Sequence, residues 1–194
     1  MKHRSIDLFA GILGRQALDE WSAPLAQGAV AGSLASVLSS AVLMLMGRRE
    51  AGSAAAPTNA TSQWLWGDEA LHQQQFDMRH TLNGYLIHHG AAVFWATAYA
   101  ALARKRPALR SPAGIAAGAA ATSAVACFVD FNLTPSRLTP GYEHRLSRPA
   151  LAAVHGAFAI GLAAGAWALR DRYPEGPDPA TADADHLREQ RNGV

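Results

Sequence analysis

Four stretches of this 194-residue chain carry no Asp, Glu, Lys or Arg over the length a helix needs to cross a bilayer. They lie between Glu20 and Arg48, Arg79 and Arg104, Arg110 and Asp130, and Arg148 and Arg170. At about 1.5 Å per residue, about 20 mainly apolar residues span the roughly 30 Å of hydrocarbon. None of the four runs has the polar stripe every three or four residues that a helix lying in water presents. The pattern predicts an all-α protein: an integral membrane four-helix bundle with spans at about 24–46, 82–103, 112–129 and 150–169. The competing expectation is a soluble bundle of Ala-rich helices, because Ala and Gly partition into lipid less well than Leu and Ile.

The segments between and around the runs read differently. Within residues 1–23, Leu8, Phe9, Ile12, Leu13 and Trp21 recur at mostly helical spacing, away from Arg15, Asp19 and Glu20. That predicts an amphipathic interfacial helix, or a cytoplasmic extension of the first span, which is expected to start near Pro24. Residues 48–80 are polar and contain Pro57, Thr58, Asn59 and Thr61, then Trp64 and Trp66, which suit the headgroup level. A short interfacial helix over about 62–79 is expected there. Pro135, Pro140, Gly141 and Pro149 make 131–149 a turn-rich loop, with Ser147 as the cap of the fourth span. Residues 171–194, rich in Pro, Asp and Ala without an apolar face, are expected to be a disordered cytoplasmic tail.

Small residues recur every fourth position: Gly28, Gly32, Ser36 and Ser40 in the first run, Gly114, Gly118, Thr122 and Ala126 in the third, Ala157, Gly161 and Gly165 in the fourth. Such stripes let membrane helices approach closely. They serve either packing within one bundle or association into a homo-oligomer or membrane complex.

Composition changes this picture only through charge. A hydrophobic share of 49% suits a soluble core as well as a membrane protein, but 16% charged residues falls below the roughly 25% of soluble domains. With four spans, Lys2, Arg4, Arg15, Arg104, Lys105, Arg106, Arg110, Arg170, Arg172, Arg188 and Arg191 share one side; Arg48, Arg49, Arg79, Arg137, Arg145 and Arg148 share the other. The richer side is placed in the cytoplasm, which gives a multi-pass membrane protein with both termini cytoplasmic. Lone Cys127 offers no internal disulfide. Nothing in the first residues has the form of a cleavable signal peptide, so the N-terminus is expected to be retained.

Ionisable residues inside spans are costly and by default mark function. His88 and His89 lie about 10 Å into the second span, and His155 lies at similar depth in the fourth. Asp130 closes the third span on the same side, with Cys127 one turn below. The adjoining loops add Asp77, His80, Glu143 and His144. His88 and His89 point about 100° apart, so only one can face fully inward.

Three uses compete. His88, His89, Asp130, His155, Glu143 and His144 contain the imidazole and carboxylate donors of a transition-metal site. His88 or His89 with His155 could be the axial pair of a b-type haem in a redox subunit. The cluster could also bind protons, since histidine titrates near neutrality. Against all three stands a purely structural role in hydrogen bonding across helices. No nucleophile elbow, phosphate loop, dinucleotide fingerprint or HExxH pattern appears, so a non-enzymatic protein is expected. The basic run Arg104 to Arg110 reads as a topological anchor to the lipid bilayer, and nucleic acid has no other support.

The segment from His80 to about Trp167 resembles the YagU-like family of small bacterial inner-membrane proteins. The resemblance rests on His88, His89, Phe94 and Trp95, on Leu133, Thr134 and Pro135, on Tyr142 and Glu143, and on His155 with Gly156. The spacing between Glu143 and His155 departs from that pattern, and Asp130 stands where the family tends to have histidine. The resemblance implies a protein of the bacterial inner membrane associated with stress or acid tolerance, and no reaction.

Overall fold

The computed structural model describes residues 2–172, with side chains from Glu20 onward. Among these residues every regular element is helical. The α-helices are α1 (Lys2–Glu50), α2 (Ala56–Thr61), α3 (Gln63–Trp66), α4 (Asp68–His72), α5 (Asn83–Lys105), α6 (Pro112–Phe128) and α7 (Arg148–Ala168). Single π-helical turns, Met78–Leu82 and Val129–Leu133, adjoin α5 and α6. Four helical segments are long and apolar enough to cross a membrane: Glu20–Glu50, Met78–Lys105, Pro112–Leu133 and Arg148–Ala168.

The long helix α1 lies at the centre, flanked by α5 and α7, and α6 packs on α7. Small residues set these contacts. Gly28 of α1 meets Thr97 of α5, and a Cβ on Gly32 would lie 2.6 Å from Val93 Cα. On a neighbouring face of α1, Cβ atoms at Gly161 and Gly165 of α7 would each lie 2.5 Å from the Cα of Ala35 and Ala31 respectively. Residue numbers fall on one helix as they rise on the other, so both pairs are antiparallel. The stripes of the first and fourth runs are thus used for packing within the bundle. In α6 the stripe divides: Gly118 lies under the Tyr99 ring, while the missing Cβ of Gly114 admits the Ala108 carbonyl.

Side-chain size is distributed inside out. The core is built largely of Ala31, Ala35, Ala92, Ala96, Ala119 and Ala166 around Tyr99, Phe158 and Leu162. Leu25, Val30, Leu34 and Val37 of α1, Phe94 of α5, Phe128 of α6 and Ile160 of α7 point outward, the last 64% exposed.

Two boundaries differ from the sequence expectation, and at a third, the junction of residues 1–23 with the first span, the continuous alternative holds, because α1 runs through Pro24 without a break. Proline lacks the N–H that would bond to the Glu20 carbonyl, and Arg104 Nη1 donates to that carbonyl at 3.3 Å instead. The amphipathic side-chain pattern expected before Glu20 lies outside the described side chains, as does the tail from residue 173 onward. The second and third spans extend to Met78 and Leu133 through their π turns. Finally, 62–79 is not one interfacial helix: α3 and α4 are broken at Gly67, whose φ is +62°, and residues after His72 are extended.

The segment expected to be a polar connection is instead a plug. All six residues of α2 are buried, and Ser62 and Gln63 with them. Gly84 at the start of α5 and Gly141 in the second loop accommodate the carbonyls of Thr58 and Ala60, which a Cβ would displace. Asn59, with no exposed surface, donates from Nδ2 to the carbonyls of Gln73 and Gln75 at 3.1 and 2.9 Å, and accepts from Thr81 Oγ1 at 2.6 Å. Ser147 caps α7 as expected, accepting from Ala150 N, and its own N–H and hydroxyl are held by the Glu50 carboxylate at the end of α1.

Candidate functional site

Toward the plugged end a cavity of about 40 Å³ lies between the helices. Its lining includes Ser39 of α1, His88 and Trp95 of α5, Asp130 beyond α6, Tyr142 of the second loop, and His155 of α7. The volume admits one or two waters or a small ion. His88 stands ten residues into its helical span, about 15 Å along the axis, because that span starts at Met78.

Each side chain has a stated reason to be there. Ser39 follows Ala31 and Ala35 on the face of α1 that meets α7, and is fully buried. Its Oγ lies 2.8 Å from the Ala35 carbonyl, 3.2 Å from the Ser36 carbonyl and 2.8 Å from His88 Nε2. A hydroxyl has one hydrogen. Given to the Ala35 carbonyl, as helical serines commonly do, it leaves Oγ to accept from an Nε2–H of His88. The basic nitrogen of that imidazole is then Nδ1.

His155 is held at its backbone, where its carbonyl accepts from Ser123 Oγ at 2.7 Å. Its ring meets Phe131 edge to face at 5.8 Å, and its buried Nε2 has no hydrogen-bond partner among the described residues. Asp130 is delivered by the π turn Val129–Leu133 that prolongs α6. Such turns are rare and recur at functional sites, because they rotate one side chain out of helical register. Tyr142 follows Gly141, whose φ of +83° requires glycine, and its ring faces both His88 and Phe131 edge-on. Burial pushes the Tyr142 phenol well above its ordinary value, with the charges of Asp130 and Glu143 adding to the effect.

Of the residues singled out from sequence, His88, Asp130 and His155 line one cavity. The others do not join them. His89 turns away and stacks on Tyr85 at 5.7 Å, as the 100° offset from His88 requires. Glu143 and His144 stand beside each other at 3.8 Å, with His144 over half exposed, and neither lines the cavity. Asp77 and His80 belong to a separate cluster in the cap. Among the described residues no three His, Cys, Asp or Glu side chains stand close enough to hold a metal ion, so the six-residue ligand set is not assembled. The haem pair fails on space: the cavity is far smaller than a macrocycle, and His88 Nε2 is already bonded to Ser39.

Ser39, Tyr142 and Trp95 were not recognised as site residues in the sequence. Ser39 could have been found as a hydroxyl two turns inside an apolar run, four residues beyond Ala35 on the same face. Tyr142 had no such signal, since only the tertiary fold carries its loop back over the helices.

The chain matches no family model, and the comparisons with curated proteins and with solved structures gave no match.

Proposed function

We propose that this is a multi-pass inner-membrane protein whose His88, Asp130 and His155 form a buried proton-binding site in the half of the bilayer away from the cytoplasm. It acts as a non-enzymatic, acid-responsive element. The membrane assignment is supported by the outward-facing Leu, Val, Phe and Ile residues around a core of Ala, Gly and Ser. Lipid removes the cost of that exposure, and water does not. The basic residues around Arg104 to Arg110 support a cytoplasmic location for that end.

The proton-binding assignment rests on a single observation: two imidazoles and a carboxylate, each partly buried, face one small cavity, with His155 Nε2 unpartnered among the described residues. Such a group is costly in a low dielectric unless it exchanges a proton or binds a polar guest. A proton, with its water, fits the space and the donor set better than a metal ion does.

Trp95 reports on this site because it lines the cavity. In a nanodisc-embedded variant with Trp21, Trp64, Trp66 and Trp167 replaced by Phe, its emission is expected to change as the pH is lowered from about 8 through the ordinary histidine range and below it. Replacing His88 and His155 by Ala together with Asp130 by Asn abolishes the change. An emission independent of pH in the otherwise intact site refutes proton binding, and a chain released from membranes by alkaline carbonate refutes the membrane assignment.

A further inference from the structure

At the end of the bundle opposite the plug, α1 and α5 leave a groove of about 400 Å³ between them, lined by Glu20, Trp21, Pro24, Ala101, Leu102, Arg104 and Lys105. Its floor is apolar, and among the described residues its rim carries two cations against one carboxylate. We propose that this groove binds an anionic phospholipid, with the phosphate on Arg104 and Lys105 and the upper acyl chain along Trp21 and Leu102. The proposal rests on the membrane assignment above and is independent of the histidine cavity.

The geometry favours an anion at the rim for three reasons. First, the free carbonyls at the end of α5 would ordinarily draw the nearby cations inward. Arg110 takes that position, donating from Nε to the Ala103 carbonyl at 3.0 Å and from Nη2 to the Arg104 carbonyl at 2.7 Å. Secondly, Pro24 frees the Glu20 carbonyl, and Arg104 donates to it through Nη1. This fixes the guanidinium at the mouth of the groove. Thirdly, Lys105 is three-quarters exposed and reaches the Glu20 carboxylate only at 4.0 Å, a pair too loose and too solvated to hold it. A phosphate competes successfully for such an ammonium.

The lower wall suits a lipid rather than a soluble phosphate compound. Trp21 and Leu102 are each about half exposed and lie next to the cationic rim. An indole beside a cationic rim suits the headgroup boundary, and basic pockets between helices on that side are the sites where acidic headgroups bind. A water-soluble phosphate compound would leave that apolar floor uncovered.

The test uses the full chain with Trp21 as its sole tryptophan, reconstituted in phosphatidylcholine vesicles. Brominated phosphatidylglycerol or brominated phosphatidylcholine is added in increasing mole fraction, and quenching of Trp21 is read. Half-maximal quenching is expected at a mole fraction at least about threefold lower for the anionic lipid. The Arg104→Gln, Lys105→Gln double variant brings the two curves together, while Glu20→Gln, which removes the competing carboxylate, separates them further. Coincident curves for the unaltered rim overturn the proposal, as does a preference that survives the double variant. Soluble inorganic phosphate at millimolar concentration leaves the preference intact if the occupant is a lipid; full displacement by it overturns the lipid assignment. Absence of quenching by either lipid, with Trp21 emitting as in water, overturns the membrane assignment itself.

Discussion

The two ends of the bundle solve the same packing problem in opposite ways. At the basic end the α5–α6 connection is six residues long, and the helices close directly on one another: the Tyr99 ring covers Gly118, and its hydroxyl donates to the Leu109 carbonyl at 3.0 Å. At the other end the long connections fold back between the helices as a buried polar plug centred on Asn59. Small residues produce the first arrangement and hydrogen-bonded polar residues the second. The difference explains where the cavity lies. The cavity lies on the side of the second arrangement, lined by His88, Asp130, His155 and the loop residue Tyr142. Chemistry is placed where packing is least able to exclude it.

The largest effect is expected from attacking the closed half. Gly161→Val drives a branched side chain into the Ala35 backbone, and either α7 or α1 must shift. A loss of about 2–3 kcal/mol is expected, read as lowered resistance to unfolding in detergent. Gly90→Ala and Gly156→Ala form the matched comparison, because a Cβ at either position meets nothing within 4 Å. These are expected to be neutral or to stabilise by up to about 1 kcal/mol. If all three substitutions behave alike, close approach of α1 and α7 does not hold the bundle together.

The plugged end is expected to give way through its hydrogen bonds instead. Asn59→Ala strands the carbonyls of Gln73 and Gln75 and removes the acceptor of the Thr81 hydroxyl, all next to a fully buried position. A loss of about 2 kcal/mol is expected. It should appear first as faster amide hydrogen exchange in 73–82, with α1 and α7 still protected, since the zipped half does not depend on the plug. Exchange that rises equally in all helices would show that the two ends are not separable.

How much of this was legible in the sequence follows the same division. The gaps between charges located all four long helices, because the absence of charge is a property of each run alone. The small-residue stripes identified which faces pack, and Gly161 and Gly32 do so. Pro24 left the junction of residues 1–23 with the first span undecided, since its missing N–H is compensated by Arg104, a residue eighty positions away. The plug was illegible for a related reason: Thr58, Asn59, Thr61 and Ser62 have the composition of a surface loop, and only their partners at Gln73, Gln75 and Thr81 make them an interior. The site was half legible. Depth along a helix placed His88, Asp130 and His155 at one level, but helical phase alone could not choose His88 over His89, nor bring Tyr142 in from a distant loop.

The smallest effect concerns the cap's outer edge, and it separates polar bonding from charge there. Asp77 begins the π turn before α5: its Oδ1 accepts from the His80 backbone N–H at 2.6 Å, and its Oδ2 accepts from Gln73 Nε2 at 2.7 Å. The His80 backbone donor, the largest cause, holds the Asp77 carboxyl below the usual carboxylate range. A carboxylate more acidic in the folded chain than in the unfolded one stabilises the fold above the unfolded value, about 4, and that contribution is lost as pH falls through the folded value. Asp77→Asn keeps an oxygen for the His80 N–H but not the charge. Its unfolding midpoint is therefore expected to lie slightly below that of the unaltered chain at pH 6, by about one or two degrees, with the gap closing as pH falls below about 4. The imidazole of His80, 3.0 Å from Asp77 and 3.6 Å from Glu69, acts in the same direction, because its attraction to the Asp77 charge is lost in the Asn variant. A gap that stays constant on acidification would mean that the shape of the cap, rather than the Asp77 charge, holds this turn in place.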